Sequence, residues 1–383
     1  MERTSWAAFG RTVVAALVAV AAFCAGEASG LRFSPGRGEF KILQVADMHY
    51  GNGGTTGCLD VLPAQMAGCS DLNTTAFLER VIRAEQPDLI VFTGDNIFGL
   101  DASDAGRSME AAFAPAVAAG IPWAAVLGNH DQESTLTREE VMKYIVAMNH
   151  SISFLNPPST TAPMDGYGNY NLEVQGVASS KLENKSILNL YFLDSGDYST
   201  VPFIPGFDWI KPSQQVWFQT TSSLLQNDYT SEPEAQTKPA PGLVYFHIPL
   251  PEFALLEAQN HTGVKQESVG SPIINSGFFT TMVEAGDVKA VFTGHDHIND
   301  LCGKLSGIEL CYAGGFGYHA YGKAGWPRRA RVVLASLEKN KQSHGWGGVQ
   351  SIKTWKRLDD PYLSTIDIQT LWQKESLTDE LGK

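Results

Sequence analysis

Five short polar stretches hold the residue types that could do chemistry. They are Asp47-Met48-His49, Gly94-Asp95-Asn96, Gly128-Asn129-His130-Asp131, a lone His247 and Gly294-His295-Asp296-His297. Each follows a strongly apolar run. Acids, an amide and imidazoles together suit two Fe, Mn or Zn ions better than Ca or a thiolate metal. Two such ions can clamp a phosphate ester and acidify a water for its hydrolysis. Asp47 and His49 are two apart, so on an extended backbone both side chains point the same way. Asp95 carries two oxygens and can bridge two ions. Asn129 offers a neutral carbonyl oxygen, and His247, His295 and His297 add imidazoles. Taken singly, most of these have bland readings: a Gly-Asp after a strand is usually a turn, and a lone His247 is more often a satisfied core histidine. Five in order, each behind an apolar run, make coincidence improbable.

The elements that must position them follow from periodicity. Apolar runs at 40–46, 88–93 and 121–127 read as buried strands ending at the first three motifs. Helical spacing covers 74–85, 109–119 and 137–148. Further strands are expected at 188–193, 242–246, 288–293, 308–312 and 330–337. Strands alternating with helices imply βαβ units and a mostly parallel sheet, an α/β class. Residues 156–168 and 232–242 are rich in Pro and Gly or Thr and read as surface loops. No linker divides the chain, so one catalytic domain is expected. A polar tail after about residue 340, with Trp346 and Trp355, packs on that domain or frays from it.

The chain has 383 residues, of which 43% are hydrophobic, enough for one large core. Its formal charge of −13 argues against nucleic-acid binding, which needs basic surface. Arg3 and Arg11, the apolar run Val13 to Ala25 and small residues up to Gly30 read as a signal peptide over 1–30, with an uncleaved anchor as the alternative. No later stretch is long enough to span a bilayer, so a secreted or endomembrane protein (cell wall or vacuole) is expected. Cys58, Cys69, Cys302 and Cys311 remain in the mature chain and allow three connectivities. The two local pairings are the simplest, and four free thiols are the alternative. Asn73, Asn149, Asn184 and Asn260 each begin a glycosylation sequon. The sequence does not define an oligomeric state.

In this order the motifs resemble the calcineurin-like metallophosphoesterase superfamily. Within it, the run from Phe292 to Leu337 is similar to plant purple-acid-phosphatase-like proteins, a group often labelled "probable inactive". Cys302-Gly303-Lys304 and Tyr312-Ala313-Gly314-Gly315-Phe316-Gly317-Tyr318 carry that similarity, and the resemblance covers residues 38–340. It implies a four-layer αββα sandwich, two mixed β-sheets flanked by helices. It also implies that Asp47, His49 and His297 hold one metal, that Asn129, His247 and His295 hold a second, and that Asp95 bridges them. His130 would be the imidazole that meets the substrate phosphate or protonates the leaving group, with Asp131 orienting it. One departure stands out: purple enzymes carry Gly-Asp-x-x-Tyr, and this chain has Phe98 at the last position. The tyrosinate ligand is lost and His49 can replace it, which implies a non-purple site with all seven ligands present.

The implied reaction is hydrolysis of a small phosphate monoester without a covalent enzyme intermediate. A phosphodiesterase on nucleotides or lipid headgroups, and a non-catalytic metal-binding glycoprotein, are the alternatives. His319, with Tyr318, Tyr321, Arg328 and Arg329, follows a glycine-rich loop and would line the substrate mouth alongside Asn129 and His130; a surface loop with a basic turn is the equal alternative. Asp296, Asn299 and Asp300 read as solvated turn residues or as partners of the histidine pair.

Overall fold

The structure is a computed structural model that describes residues 30–157, 163–258, 260–339 and 345–375. The expected signal segment at 1–30 lies, apart from Gly30, outside them. Among the described residues, thirteen strands form two mixed sheets. The first sheet contains β1 (Glu39–Val45), β2 (Leu89–Thr93), β3 (Trp123–Val126), β11 (Arg329–Lys339), β12 (Trp346–Leu358) and β13 (Thr365–Gln373). Its order is β13-β12-β11-β1-β2-β3. Strands β1, β2 and β3 are parallel, and β11, β12 and β13 extend them antiparallel.

The second sheet contains β4 (Tyr170–Gln175), β5 (Ser186–Phe192), β6 (Gly242–Tyr245), β7 (His261–Thr262), β8 (Val288–Thr293), β9 (Cys302–Leu305) and β10 (Ile308–Tyr312). Its order is β4-β5-β6-β8-β10-β9-β7, with β5, β6, β8 and β10 parallel. The helices are α1 (Pro63–Met66), α2 (Asp71–Glu85), α3 (Ala105–Ala119), α4 (Arg138–Ala147), α5 (Pro212–Thr230) and α6 (Phe278–Ala285).

Alternation along single strands shows how the layers stack. In β6 and the residue after it, Leu243 and Tyr245 enter one core while Val244 and Phe246 enter another. In β8, Ala290 and Phe292 join the first and Val291 the second. The first core also takes Phe77 and Val81 of α2, Phe113 of α3 and Met142 of α4. The second takes Phe218 of α5 and Met282 of α6. A strand buried on both faces reads as a continuous apolar run, which is why these strands are visible in the sequence. Gln44 of β1 donates from Nε2 to the Thr293 carbonyl of β8 at 3.3 Å, tying the sheets together beside the motifs.

The chain ends of β1, β2, β3, β6 and β8 carry the five polar stretches, on one end of the two sheets. That is where ligands bind in open parallel sheets. The tail contributes more than a cover, because β12 and β13 are strands of the first sheet. Two disulfides join Cys58 to Cys69 and Cys302 to Cys311. The second links directly paired residues of the β9–β10 hairpin. No described helix is long and apolar enough to cross a membrane.

Candidate metal centre

Asp47, His49, Asp95 and His295 all adopt left-handed backbone, with φ of 56°, 46°, 48° and 76°. Such a conformation is uncommon outside glycine and persists only where surroundings over-determine it. Here the loops are clamped by backbone bonds, Asp47 N to Gly94 O and His49 N to Asp95 O. Asp47 and His49 therefore share a site for a reason other than strand alternation: β1 has already ended at Val45, and two left-handed turns bring both side chains round. Two glycines give room for this packing. A Cβ on Gly94 would lie 2.5 Å from the His247 ring, and one on Gly128 would lie 2.1 Å from Asp95 Oδ1.

The side chains converge in two groups. Ligand atoms of Asp47, His49, Asp95 and His297 lie within 4.8 Å of one another, as do those of Asp95, His247 and His295. Asp95 is common to both. Asn129 Oδ1 sits 3.2 Å from His247 Nε2, on the edge of the second group. Two atoms of the first group are buried without a hydrogen-bond partner, Asp47 Oδ2 and His49 Nε2. His49 Nε2 is 3.3 Å from Asp95 Oδ2 but not aligned for a hydrogen bond. Orphaned buried polar atoms cost about 1–3 kcal/mol each. A cation shared by oxygen and imidazole donors would satisfy both, so the residues fit metal ions.

Outer contacts set which ring nitrogen faces the cluster. His247 Nδ1 donates to the Thr93 carbonyl at 2.9 Å, and His297 Nδ1 donates to the Tyr321 carbonyl at 3.0 Å. A carbonyl only accepts, so Nε2 of both rings is left for the cluster. The Tyr321 ring stacks on His297 at 3.8 Å, and its hydroxyl donates to Glu267. Phe207 meets His295 edge-on at 4.4 Å. Asn129 Nδ2 donates to the Tyr198 hydroxyl at 3.2 Å, which turns the amide oxygen inward. Tyr198→Phe is expected to lower affinity for an ion in the second group about tenfold, the usual cost of losing an outer partner, and to leave the first group's affinity unchanged. Metal titration of wild type beside Tyr198→Phe checks this; an unchanged second-group affinity, or an equal loss at both groups, would refute it.

The cluster's charge is uneven. Burial pushes the His49 imidazole down to about 4. Burial, with the His247 charge next, pushes His295 down to about 3. Both rings are neutral and ready to donate a lone pair. Burial opposes charge on His247 too, but Asp95 beside it prevails and raises it to about 9. Burial likewise opposes ionisation of Asp95, and His247 and His49 together hold its carboxyl well below the usual range. A proton on His247 thus stands where a cation would. At pH 7 an ion bound at Nε2 must displace it. We expect release of about one proton per protein on loading at pH 7, and affinity rising with pH up to about 9. Calorimetry in buffers of different protonation enthalpy reads this directly; no net release would sink it.

His130 stands beside the cluster, its ring centroid 5.3 Å from that of His49. Its backbone N–H donates to Asp95 Oδ1 at 2.8 Å. The expected orienting partner, Asp131, is elsewhere. Its carboxylate accepts from the backbone N–H of Asn96, Ile97 and Gly128, lacing the second and third motif loops together. Adjacent residues on this turn point to opposite sides, and Glu133, one turn further, meets His130 Nδ1 at 2.6 Å. Phe98 lies against both rings, stacked on His49 at 5.3 Å and tilted to His130 at 4.9 Å.

Two other expectations are corrected. His319 lies behind Phe98, not at the cluster, and both its nitrogens are committed, Nδ1 to the Gly57 carbonyl and Nε2 to Asp101, each at 2.8 Å. Neither is free for a phosphate. Arg328 is buried and donates to the carbonyls of Leu59, Ala320 and Tyr321, and Arg329 is buried against Asp300. Both arginines build the loop that carries Tyr321. Asp296, Asn299 and Asp300 are buried as well and hold the segments around Gly270, Gln266 and Val264. Asn73, Asn149, Asn184 and Asn260 are exposed. The residues that sequence reasoning missed, Tyr198, Phe207, Glu133, Glu267 and Asp101, sit in loops with no periodic signal.

Comparison with known proteins agrees with this geometry. Residues 40–299 match the family described as calcineurin-like phosphoesterase. The chain is 62% identical over 347 residues to "Probable inactive purple acid phosphatase 29" of Arabidopsis thaliana, covering 90% of this chain and 89% of that one. It is 57% identical over 350 residues to "Probable inactive purple acid phosphatase 14" of the same plant, covering 90% and 87%. Its fold resembles that of a dimetal phosphatase from Danio rerio, with a TM-score of 0.52 at 14% identity, over 88% of this chain and 99% of that chain. The family match takes in all five motif loops, and on that ground the chain belongs to the calcineurin-like phosphoesterase family.

Proposed function

We propose that this protein is an exported dinuclear-metal phosphatase that hydrolyses small phosphate monoesters. One observation carries the reading: two buried, unpartnered donor atoms, Asp47 Oδ2 and His49 Nε2, within a cluster whose two halves share Asp95. Asp47, His49 and His297 would hold one ion, Asn129, His247 and His295 a second, and Asp95 would bridge them. Bound there, Fe, Mn or Zn ions would supply Lewis-acid charge to a phosphate and an acidified water as nucleophile. The chain's own part is to keep those donors rigid in a site walled by Phe98, Tyr198, Phe207 and Tyr321. His130, with Nδ1 held by Glu133, presents Nε2 as the proton donor to the departing oxygen. Asp131 serves that step indirectly, by fixing the loop on which His130 stands.

The relatives' names supply the phosphomonoester expectation. Their "inactive" does not follow from this chain's residues, since each of the seven donors is in the cluster or at its edge. Phe98 has no oxygen for iron, so on this reading the site is non-purple without being inactive for that reason. Export is supported by two disulfides, which persist in oxidising compartments, and by four exposed sequon asparagines. The test is steady-state hydrolysis of p-nitrophenyl phosphate and its bis-ester, from acid to neutral pH, with Mn, Zn or Fe and a metal assay. Monoester turnover exceeding diester turnover is the expected result. Diester preference would replace the reading with a phosphodiesterase, and two bound ions with no turnover on either ester would replace it with a binding protein.

A further inference from the structure

Away from the metal centre, a groove of about 470 Å³ runs between α3 and α4. Ala114, Val117 and Ala118 form one wall, and Ala147, Met148 and Asn149 form the other. Glu110 is the charged group of the lining, and it already accepts the Tyr144 hydroxyl at 2.6 Å. The alanines are small and leave an open groove, apolar from Ala114 to Ala118, about 6 Å of helix at roughly 1.5 Å per residue. The groove opens to solvent directly beside Asn149.

Asn149, at one end of the groove, opens the sequon Asn149-His150-Ser151. The sequon lies in a turn just past α4. His150 is left-handed at φ 63°, Ser151 N–H donates to the Met148 carbonyl, and the Trp123 indole N–H donates to the Asn149 carbonyl at 3.0 Å. The backbone of Asn149 is therefore anchored while its side chain is exposed. We propose that the groove is the seat of an N-linked glycan on Asn149. Its first two N-acetylglucosamine rings would lay their C–H faces and acetamido methyls over Ala114, Ala118 and Ala147. The Glu110–Tyr144 pair at the lining would hydrogen-bond the sugar hydroxyls.

The chemistry is that of secretory glycosylation. The Asn149 amide nitrogen bonds to the anomeric carbon of an oligosaccharide carried on a polyprenyl diphosphate; the amide loses a proton and the diphosphate leaves. A tethered sugar reaches the groove at high effective concentration, which a free apolar ligand would not. A glycan is also bulky and solubilising, and would hide this surface from other proteins. The proposal rests on the export part of the reading above and is independent of catalysis.

The test uses the full chain made in a eukaryotic secretory host. Glycopeptide mass spectrometry reads occupancy at each sequon. Amide exchange of residues 110–118 and 144–149 is then compared between wild type, Asn149→Gln, Ser151→Ala and an Asn184→Gln control. We expect Asn149 to be occupied, and exchange in those two segments to quicken about tenfold in both sequon variants but not in the control. An occupied Asn149 whose removal leaves exchange unchanged overturns the proposal. So does an unmodified Asn149 beside glycosylated Asn184 or Asn260, an outcome that leaves export standing. Modification at no sequon overturns both. A wild-type dimer that Ala118→Glu dissociates would assign the groove to a second copy of the chain and overturn the glycan.

Discussion

Asp95→Asn is expected to lower kcat/KM for p-nitrophenyl phosphate about a thousandfold or more, some 4 kcal/mol of transition-state stabilisation. The size follows from position. Asp95 Oδ2 lies 3.3 Å from His49 Nε2 and 3.2 Å from His247 Nε2, one ring from each half of the cluster. Losing the negative charge there weakens both ion sites together, where any other donor would weaken one. Asparagine keeps Oδ1, so it still accepts the His130 backbone N–H and the third motif loop stays in place. Asp95→Ala would orphan that N–H and confound chemistry with folding. The check is metal content after dialysis beside turnover, with thermal denaturation to verify the fold. A variant that keeps two ions and turns over within a few fold of wild type would falsify the bridging role.

The second large effect falls on His130. Removing a general acid costs about a hundred- to ten-thousandfold, and most where the leaving group is a poor one. His130→Gln should therefore slow an alkyl phosphate far more than p-nitrophenyl phosphate, whose phenolate departs without help. Glu133 separates orientation from charge. Glu133→Gln keeps an oxygen for His130 Nδ1–H and should cost about tenfold, whereas Glu133→Ala frees the ring and should cost nearer a hundredfold, the scale seen on losing an orienting partner. KM should move little in either. A loss of equal size for good and poor leaving groups would remove His130 from proton transfer and leave it a phosphate contact.

The polar residues that converge in the candidate metal centre were legible in the chain because each depends on a local rule. A doubly buried strand must be apolar throughout and must end where polar residues begin, so β1, β2, β3, β6 and β8 mark their own ends. Asp47, Asp95, Asn129, His247 and His295 stand at or just past those ends. What orients them was not legible. Thr93 and His247 are 154 residues apart, Asn129 and Tyr198 are 69 apart, and Tyr321 and His297 meet through a loop without periodicity. Such hydrogen bonds depend on how two sheets pack, which no local window contains.

The same limit explains the elements that sequence patterning passed over. The buried face of α5 includes Gln214 and Ser222, which bond to Asn169 and Asp287, so its apolar stripe is broken. Strand β12 turns Thr354 and Lys356 inward, where Lys356 meets Asp300, so its alternation is masked by polar residues that are satisfied only across the sandwich. The identity of the candidate donors, their order and the likeness to a phosphoesterase fold reside in the linear chain, since residue chemistry and strand period are local. The pairing of Glu133 with His130, the retirement of Asp131 and His319 to supporting places, and the union of Asp47 with His49 through left-handed turns belong to the folded molecule. They arise from contacts whose geometry exists only once distant segments have closed on one another.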